Sequence, residues 1–339
     1  MSEMGRRLVF VGTDRVEVEN FDVPKLAPGQ MLVRVHRSQV SAGSEKNAFL
    51  GASRPDTRRS MGYTTVGRIL AAGAGMQTFK PGDRVLTFGN HASHWLVEPA
   101  SRTTEMCSSV QRIEYDITDE QAAFAVLGDV SLHGVRRAEL QIDESVAIFG
   151  QGVVGQLVTA FCRLSGAYPI IAVDLDAERL NLSRESGATH TIDAAKIDAV
   201  DAVRELTGDG AQSVFHATRS PEVLIPCMKS AADRGKVVLV GSPPGTVEIG
   251  LQVELLRREL DIRGTYLRGL EDNPHPYWPW TRQRNRKAVM RLIAEGYLQV
   301  DSLISHVAKP EEADEIFQKI LAGTKGWMSV FFDWESEPS

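Results

Sequence analysis

Gly150-Gln151-Gly152-Val153-Val154-Gly155 decides the fold, because the flanks of this stretch match its glycines. The apolar run Ser145-Val-Ala-Ile-Phe149 precedes it and reads as a buried strand. A helical run follows from Val153 to about Gly166, and a second apolar run, Pro169 to Val173, ends on Asp174. Strand, tight glycine turn, helix and a strand closed by an acid form the unit that holds a dinucleotide. Gly150 permits the turn, Gly152 lets a pyrophosphate approach the backbone, and Gly155 lets helix and strand pack closely. The helix start, at Val153 and Val154, offers unpaired N–H groups and a positive dipole end to the phosphates. Asp174 lies near the expected offset of about 20 residues and is suited to accept hydrogen bonds from ribose hydroxyls. A carboxylate there repels a 2′-phosphate, so the sequence predicts NAD rather than NADP.

Around this unit the chain alternates strand and helix from about Ile117 onward, the pattern of an α/β doubly wound parallel sheet. Strands are expected near Thr189–Ile192, Ser213–Ala217, Lys236–Val240 and Leu260–Thr265, with helices near Val200–Leu206 and from Pro221 to about Ala232. Thr218 ends one of these strands, and Gly241 and Ser242 end the next. All three therefore belong at the carboxyl edge of the sheet, where ligands bind. The first 115 or so residues read instead as β-rich. Short alternating or apolar runs at Arg6–Val11, Arg15–Glu19, Met31–His36, Val66–Ala71 and His94–Val97 are separated by turn signals such as Pro28-Gly29 and Pro81-Gly82-Asp83. Helices are expected again near Arg284–Glu295 and Glu311–Leu321.

At 339 residues the chain has room for about two domains. Hydrophobic content of 42% and charged content of 24% are ordinary for a globular protein. A net charge of -6 gives no basic footprint for nucleic acid and no attraction to anionic lipid. The apolar run Leu8 to Gly12 is too short for a signal peptide or a membrane span. The 3 cysteines, Cys107, Cys162 and Cys227, form neither a CxxC pair nor a disulfide framework. Cytoplasm is the expected location, and Cys107 reads as a small packed residue rather than a nucleophile.

Four stretches carry a resemblance: Lys80-Pro-Gly-Asp-Arg-Val85, the Gly89–Val97 segment, the glycine unit at Gly150–Gly155, and Gly235-Lys-Val-Val-Leu-Val-Gly241. With this order of elements, the chain resembles the medium-chain dehydrogenase/reductase superfamily, the alcohol dehydrogenase-like fold. The resemblance implies a Rossmann NAD-binding domain over 118–265, set within a β-rich, GroES-like catalytic domain over 1–117 and 266–339. It adds Leu175 and Arg179 to the adenosine side of the cofactor site. It also implies a homodimer paired through the last strand of the nucleotide domain, here Leu260–Thr265.

Zinc-dependent members of that superfamily carry their metal on three stretches. The corresponding stretches here are Ala42-Gly-Ser-Glu45, Gly62-Tyr-Thr64 and Ala125-Val-Leu127, which lack the cysteine, the histidine and the third ligand. A catalytic zinc needs about three protein ligands, so no metal is expected. His91 and His94 read as a surface or domain-interface pair. The pattern is similar to a zinc-independent branch that includes bacteriochlorophyllide dehydrogenases and enzymes oxidising secondary alcohols of sugars, cyclitols or natural products.

Without zinc, another group must handle the alcohol proton. Ser44 falls where the superfamily begins a relay through the nicotinamide ribose. Tyr63 replaces a metal ligand; its phenol either fills the vacated volume or, with a lowered pKa, exchanges a proton with substrate, as Glu45 can. Asp129 either faces the nicotinamide or caps the next helix, and His133 on that helix reads as packing. Tyr277, Trp278, Trp280 and Arg282, in a Pro- and Trp-rich segment, form either a substrate mouth or a packing loop. The reading is hydride transfer between a nicotinamide and a small secondary alcohol or ketone. Two alternatives stay open: an NAD(P)H-dependent quinone or enone reductase, and a dinucleotide-binding protein without catalysis.

Overall fold

A computed structural model of the chain describes residues 3–12, 15–50 (backbone alone for 47–50), 57–98, 110–267 and 273–336. Cys107 lies outside the described residues. In chain order the elements are β1 (Met4–Val11), β2 (Arg15–Asp22), β3 (Met31–Val40), α1 (Ala42–Leu50), β4 (Arg58–Arg59), β5 (Thr65–Ala72), β6 (Arg84–Thr87), β7 (His94–Val97), β8 (Gln111–Arg112) and α2 (Asp119–Ala138). The alternating stretch follows: β9 (Val146–Phe149), α3 (Val153–Leu164), β10 (Ile170–Asp174), α4 (Ala177–Ser186), β11 (His190–Asp193), α5 (Ala199–Thr207), β12 (Ala211–His216), α6 (Leu224–Ser230), β13 (Ala231–Leu239) and β14 (Asp261–Gly264). Then come α7 (Arg282–Ala294), β15 (Ile304–Ala308), α8 (Ala313–Ala322) and β16 (Ser329–Asp333).

Two compact units result. The first comprises Met1–Val126, Arg286–Glu295 and Val300–Ser339; the second comprises Leu127–Asn285 and Gly296–Gln299. In the first, a sheet ordered β15-β16-β3-β5-β6-β8, with β7 also on β3, stands beside a smaller sheet ordered β2-β1-β4. Apart from the parallel pair β15–β16, their pairings are antiparallel. Leu8, Phe10, Met31, Val33, Val35, Val85, Phe317, Phe332 and Trp334 bury their side chains in one core, so α8 and β16 join the N-terminal strands. Burying a side chain of this size is worth about 1.5–3 kcal/mol, enough to hold the two ends of the chain together.

In the second unit, six parallel strands run in the order β11-β10-β9-β12-β13-β14. The chain winds outward from β9 to β11, then returns to β12 on the other side of β9. This reversal opens a crevice at the carboxyl ends of β9 and β12, the binding edge of an open α/β sheet. The strands read as near-continuous apolar runs because both faces are covered, and Ala147, Ile171, Val214 and Val237 are fully buried.

Two expectations change. The helix expected over Pro221–Ala232 is a short 3-10 turn at Pro221–Val223 followed by α6, and the chain is already extended at Ala231, which pairs with Ala211. Asp129 does not cap a helix; it lies in the interior of α2.

Candidate cofactor and proton-transfer sites

In the second unit β9 ends at Phe149 and the chain turns at Gly150, whose φ of +95° suits a residue without Cβ. A Cβ built there would lie 2.7 Å from the Thr218 methyl, and one on Gly155 would lie 1.9 Å from the Gly150 carbonyl oxygen. These two glycines are therefore demanded by packing. Gly152 is not: a Cβ there meets nothing within 4 Å. Gly152 is the N-cap of α3 and no side chain caps it, so the first N–H groups at Val153 and Val154 stand beside open space.

The Asp174 carboxylate reaches across this loop. One oxygen accepts the Gln151 N–H at 2.6 Å and the other accepts the Asp176 N–H at 3.0 Å. Gly241 presses its backbone against Thr218; its N–H donates to the His216 carbonyl at 2.8 Å, and a Cβ on it would lie 2.2 Å from the Thr218 carbonyl oxygen. Gly150, Thr218 and Gly241 thus converge at the ends of β9, β12 and β13. Leu175 and Ser242 are exposed along the same edge, and Arg179 is half-buried. The sequence reading missed Gln156, which is buried inside α3. Its amide donates to the Gln151 and Arg179 carbonyls, at 3.2 and 2.8 Å, and ties α3 to α4 beneath the loop. An amide on an apolar helix face was the available signal.

In the first unit Ser41 precedes α1, and the Tyr63 hydroxyl donates to its Oγ at 2.5 Å. The Ser44 hydroxyl shares that phenol, and the ring stacks on Phe88 with centroids 5.1 Å apart. Burial raises the Tyr63 pKa above its ordinary 10; the serine hydrogen bonds oppose this and the Glu45 charge adds to it. The expected lowering is therefore reversed, and the phenol is neutral at physiological pH.

Glu45 is only 2% exposed, and its two oxygens are engaged by the Ser41 N–H at 2.8 Å and His91 Nε2 at 2.9 Å. His91 Nδ1 meets Ser38 Oγ at 2.8 Å, and Trp334 Nε1 donates to the same oxygen at 2.9 Å. Trp334 can only donate. The Glu45 carboxylate can only accept, so Nε2–H faces it, and in a neutral ring Nδ1 then accepts the Ser38 hydrogen. Gly62 lies against this ring: its φ is +104°, and a Cβ on it would sit 2.9 Å from the His91 ring carbon Cδ2 and 2.8 Å from the His91 backbone nitrogen. The surface or interface placement expected for His91 and His94 is corrected, since both are buried in the first unit. His94 lies among Arg34, Glu3 and Ser93, and burial, then Arg34, holds its pKa down.

The donor set does not fit a catalytic zinc. Ala42 and Ala125–Leu127 supply no ligand atom, Tyr63 keeps its proton, and Glu45 and His91 are turned toward each other. Among the described residues no three His, Cys, Asp or Glu side chains stand together as metal ligands.

Asp129 is fully buried and one of its oxygens accepts from the Asn285 amide nitrogen at 2.8 Å. The Asn285 carbonyl oxygen in turn accepts from Arg136. Trp278 lies edge-on to His133 with centroids 6.0 Å apart, and Trp280 lies under Arg136 and Arg284. Tyr277 is 90% exposed, while Arg282 is buried and donates to the Leu267 carbonyl.

Residues 153–283 match the model of a family described as zinc-binding dehydrogenase. The chain is 27% identical over 322 residues to the (R,R)-butanediol dehydrogenase of Bacillus subtilis (strain 168), covering 86% of this chain and 88% of that protein. The crystal structure of the Bacillus subtilis 2R,3R-butanediol dehydrogenase superposes with a TM-score of 0.81 at 22% identity, over 97% of this chain and 99% of that one. The fold is that of the medium-chain alcohol dehydrogenases. Two further solved structures carry a nicotinamide cofactor. A putative zinc-binding dehydrogenase from Sinorhizobium meliloti 1021, bound to NADP, matches with a TM-score of 0.81 at 22% identity over 98% of this chain and 99% of that one. An alcohol dehydrogenase from Escherichia coli CFT073, complexed with NADH, matches with a TM-score of 0.81 at 16% identity over 98% of this chain and 100% of that one.

Proposed function

We propose that this protein is an NAD-dependent, zinc-independent oxidoreductase that interconverts a secondary alcohol and its ketone. The observation that carries the reading is the glycine loop closed by Asp174. Its open helix start at Gly152 suits a pyrophosphate, and its carboxylate suits ribose hydroxyls and repels a 2′-phosphate. The butanediol dehydrogenase relationship supports an alcohol as substrate. A small polyol, a cyclitol or a sugar-derived intermediate fits the polar set at Ser41, Ser44 and Tyr63.

Bound nicotinamide would supply or accept the hydride. The residues of this chain bind, orient and manage the proton. Asp174 and the start of α3 hold the cofactor, while Gln156 stiffens the loop from behind. In reduction, the neutral Tyr63 phenol donates its proton to the carbonyl oxygen as hydride reaches the carbon. That proton turns away from Ser41 Oγ to reach substrate, and the Ser41 and Ser44 hydroxyls then direct their own hydrogens at the phenolate oxygen. Oxidation reverses these steps. Glu45 holds Ser41 by its N–H and does not itself meet substrate, because it is buried against His91.

The test is calorimetric titration of the purified protein with NAD and NADP, then measurement of NADH formation from a panel of secondary alcohols. Binding of NAD at least about tenfold tighter than NADP is expected, with Asp174→Ser closing that gap. Tighter binding of NADP would refute the cofactor assignment. Oxidation of no alcohol, together with rapid reduction of quinones or enones, would refute the substrate class.

A further inference from the structure

We propose that the α2 face bearing Asp129, His133 and Arg136 is a binding site for an anionic group, a phosphate or a carboxylate, carried by the substrate. The substrate assignment rests on the oxidoreductase reading; the anion site itself does not.

Asp129, His133 and Arg136 stand four and three residues apart on α2 and so share one face. The segment Trp278–Asn285 covers this face. Arg136 lies 3.7 Å from the centroid of the Trp280 ring, and Arg284 lies 4.5 Å from the same centroid. One indole thus holds two guanidinium groups close together. Neither pairs with a carboxylate among the described residues: Arg136 donates to the Asn285 carbonyl oxygen and Arg284 to the Pro279 carbonyl.

Asp129, on the same face, acts on Arg136 through its charge, and Asn285 bridges the two. Asn285 is fully buried, with its amide nitrogen on Asp129 and its oxygen toward Arg136. A neutral amide therefore fixes Arg136 where a direct Asp–Arg pair would have cancelled its charge. His133, 6% exposed and between the two on the same face, has no hydrogen-bond partner at Nδ1. Burial, then Arg137 and Arg136, push its pKa down to about 4. Burial, then Arg284, push Arg136 down to about 10. Burial is the larger cause in both, neighbouring arginines add to it, and at Arg136 the charge of Asp129 opposes it. Planar guanidinium forks on an aromatic floor, beside a neutral imidazole, are suited to the flat or trigonal oxygens of carboxylate and phosphate.

The position suits a substrate anchor. On the opposite face of the same helix, the Ser131 hydroxyl donates to the Val154 carbonyl in the first turn of α3, at 3.1 Å. The anion site is therefore about one helix diameter, ~10 Å, from the dinucleotide loop within the same unit. Of the four residues expected to form a substrate mouth, Trp280 and Trp278 take part. The charges come from Arg284, one of the three arginines of that segment, and from Arg136, which lies outside it.

The experiment is titration of the full-length protein with inorganic phosphate, read by Trp fluorescence and calorimetry, with and without saturating NAD. Saturable binding is expected. Arg284→Gln, at an exposed side chain, should weaken it at least about tenfold, and Arg136→Lys, which keeps the charge but loses the fork, should weaken it less than Arg136→Gln. Arg291→Gln, two turns further along α7 and paired with Glu295, should leave it unchanged. Absence of saturable binding, or binding retained in the Arg136 and Arg284 variants, overturns the site. No turnover is needed, so this result stands apart from that of the oxidoreductase test. The source of the anion is then read from kinetics with matched phosphorylated and unphosphorylated alcohols. Competitive inhibition by phosphate and a kcat/KM advantage for the phosphorylated or carboxylated alcohol, lost in Arg284→Gln, support the substrate anchor. Phosphate binding without competition overturns that assignment in favour of a free anion.

Discussion

Tyr63 keeps its proton because the cost of burying a phenolate exceeds what two serine hydroxyls return, and Glu45 adds repulsion. A neutral phenol is a donor, which favours reduction of a carbonyl over attack on an alcohol proton. Tyr63→Phe removes one oxygen and keeps the ring against Phe88. It should lower kcat by about 10²- to 10⁴-fold with NAD affinity unchanged, as checked by steady-state kinetics beside calorimetry. The reductive rate should hold past pH 10 and fall only as the raised pKa is crossed. A decline beginning below pH 10 would show that another group is the donor.

At the scale of elements, the loop between β9 and α3 separates what the fold needs from what the ligand needs. A Cβ on Gly155 collides with the Gly150 carbonyl at 1.9 Å, so Gly155→Ala should cost about 1–3 kcal/mol, seen as a lower Tm and denaturation midpoint. A Cβ on Gly152 meets nothing, and its φ of -71° suits any residue. Gly152→Ala should therefore leave Tm within about a degree while weakening NAD binding at least about tenfold. Equal effects of the two substitutions on Tm would contradict this division. The strand-turn-helix unit was legible in the sequence because its signals are local: apolar runs, glycines at fixed spacing and a terminal acid. The β-rich runs were legible for the same reason. Strands β6, β15 and β16 and helix α1 were not. β16 is a short run whose place beside β3 depends on contacts across nearly the whole chain. The Glu45–His91–Ser38–Trp334 chain was equally hidden, since its members come from four separate segments. Likewise, Asp129 read as a cap or a cofactor neighbour because its partner Asn285 is remote in sequence.

Across the whole molecule, burial holds three histidines neutral. His133 is pushed down to about 4, and His94 and His216 are lowered in the same sense. The unfolded chain binds protons near pH 6.5 and the folded chain does not. Their contribution to stability is thus complete above about pH 6.5 and is lost as the pH falls toward the folded values. Tm should drop between about pH 6.5 and 4, and His133→Asn should flatten that drop; an unchanged slope would assign it to other groups. Among the described residues no helix is long and apolar enough to cross a membrane. β14 is the last strand of its sheet, and nearby Leu251, Val253 and Leu256 are 64%, 58% and 67% exposed. Pairing of this edge with a second copy should give a dimer by light scattering, and Ile262→Pro should give monomers.

In the proposed mechanism this site manages a proton and not a metal. That mechanism is tested most directly by NADH formation from secondary alcohols with protein stripped by a chelator and verified metal-free by mass spectrometry. Full activity in the stripped wild type, lost in stripped Tyr63→Phe, is the predicted result. Activity that disappears on stripping and returns with one zinc per chain would contradict the account.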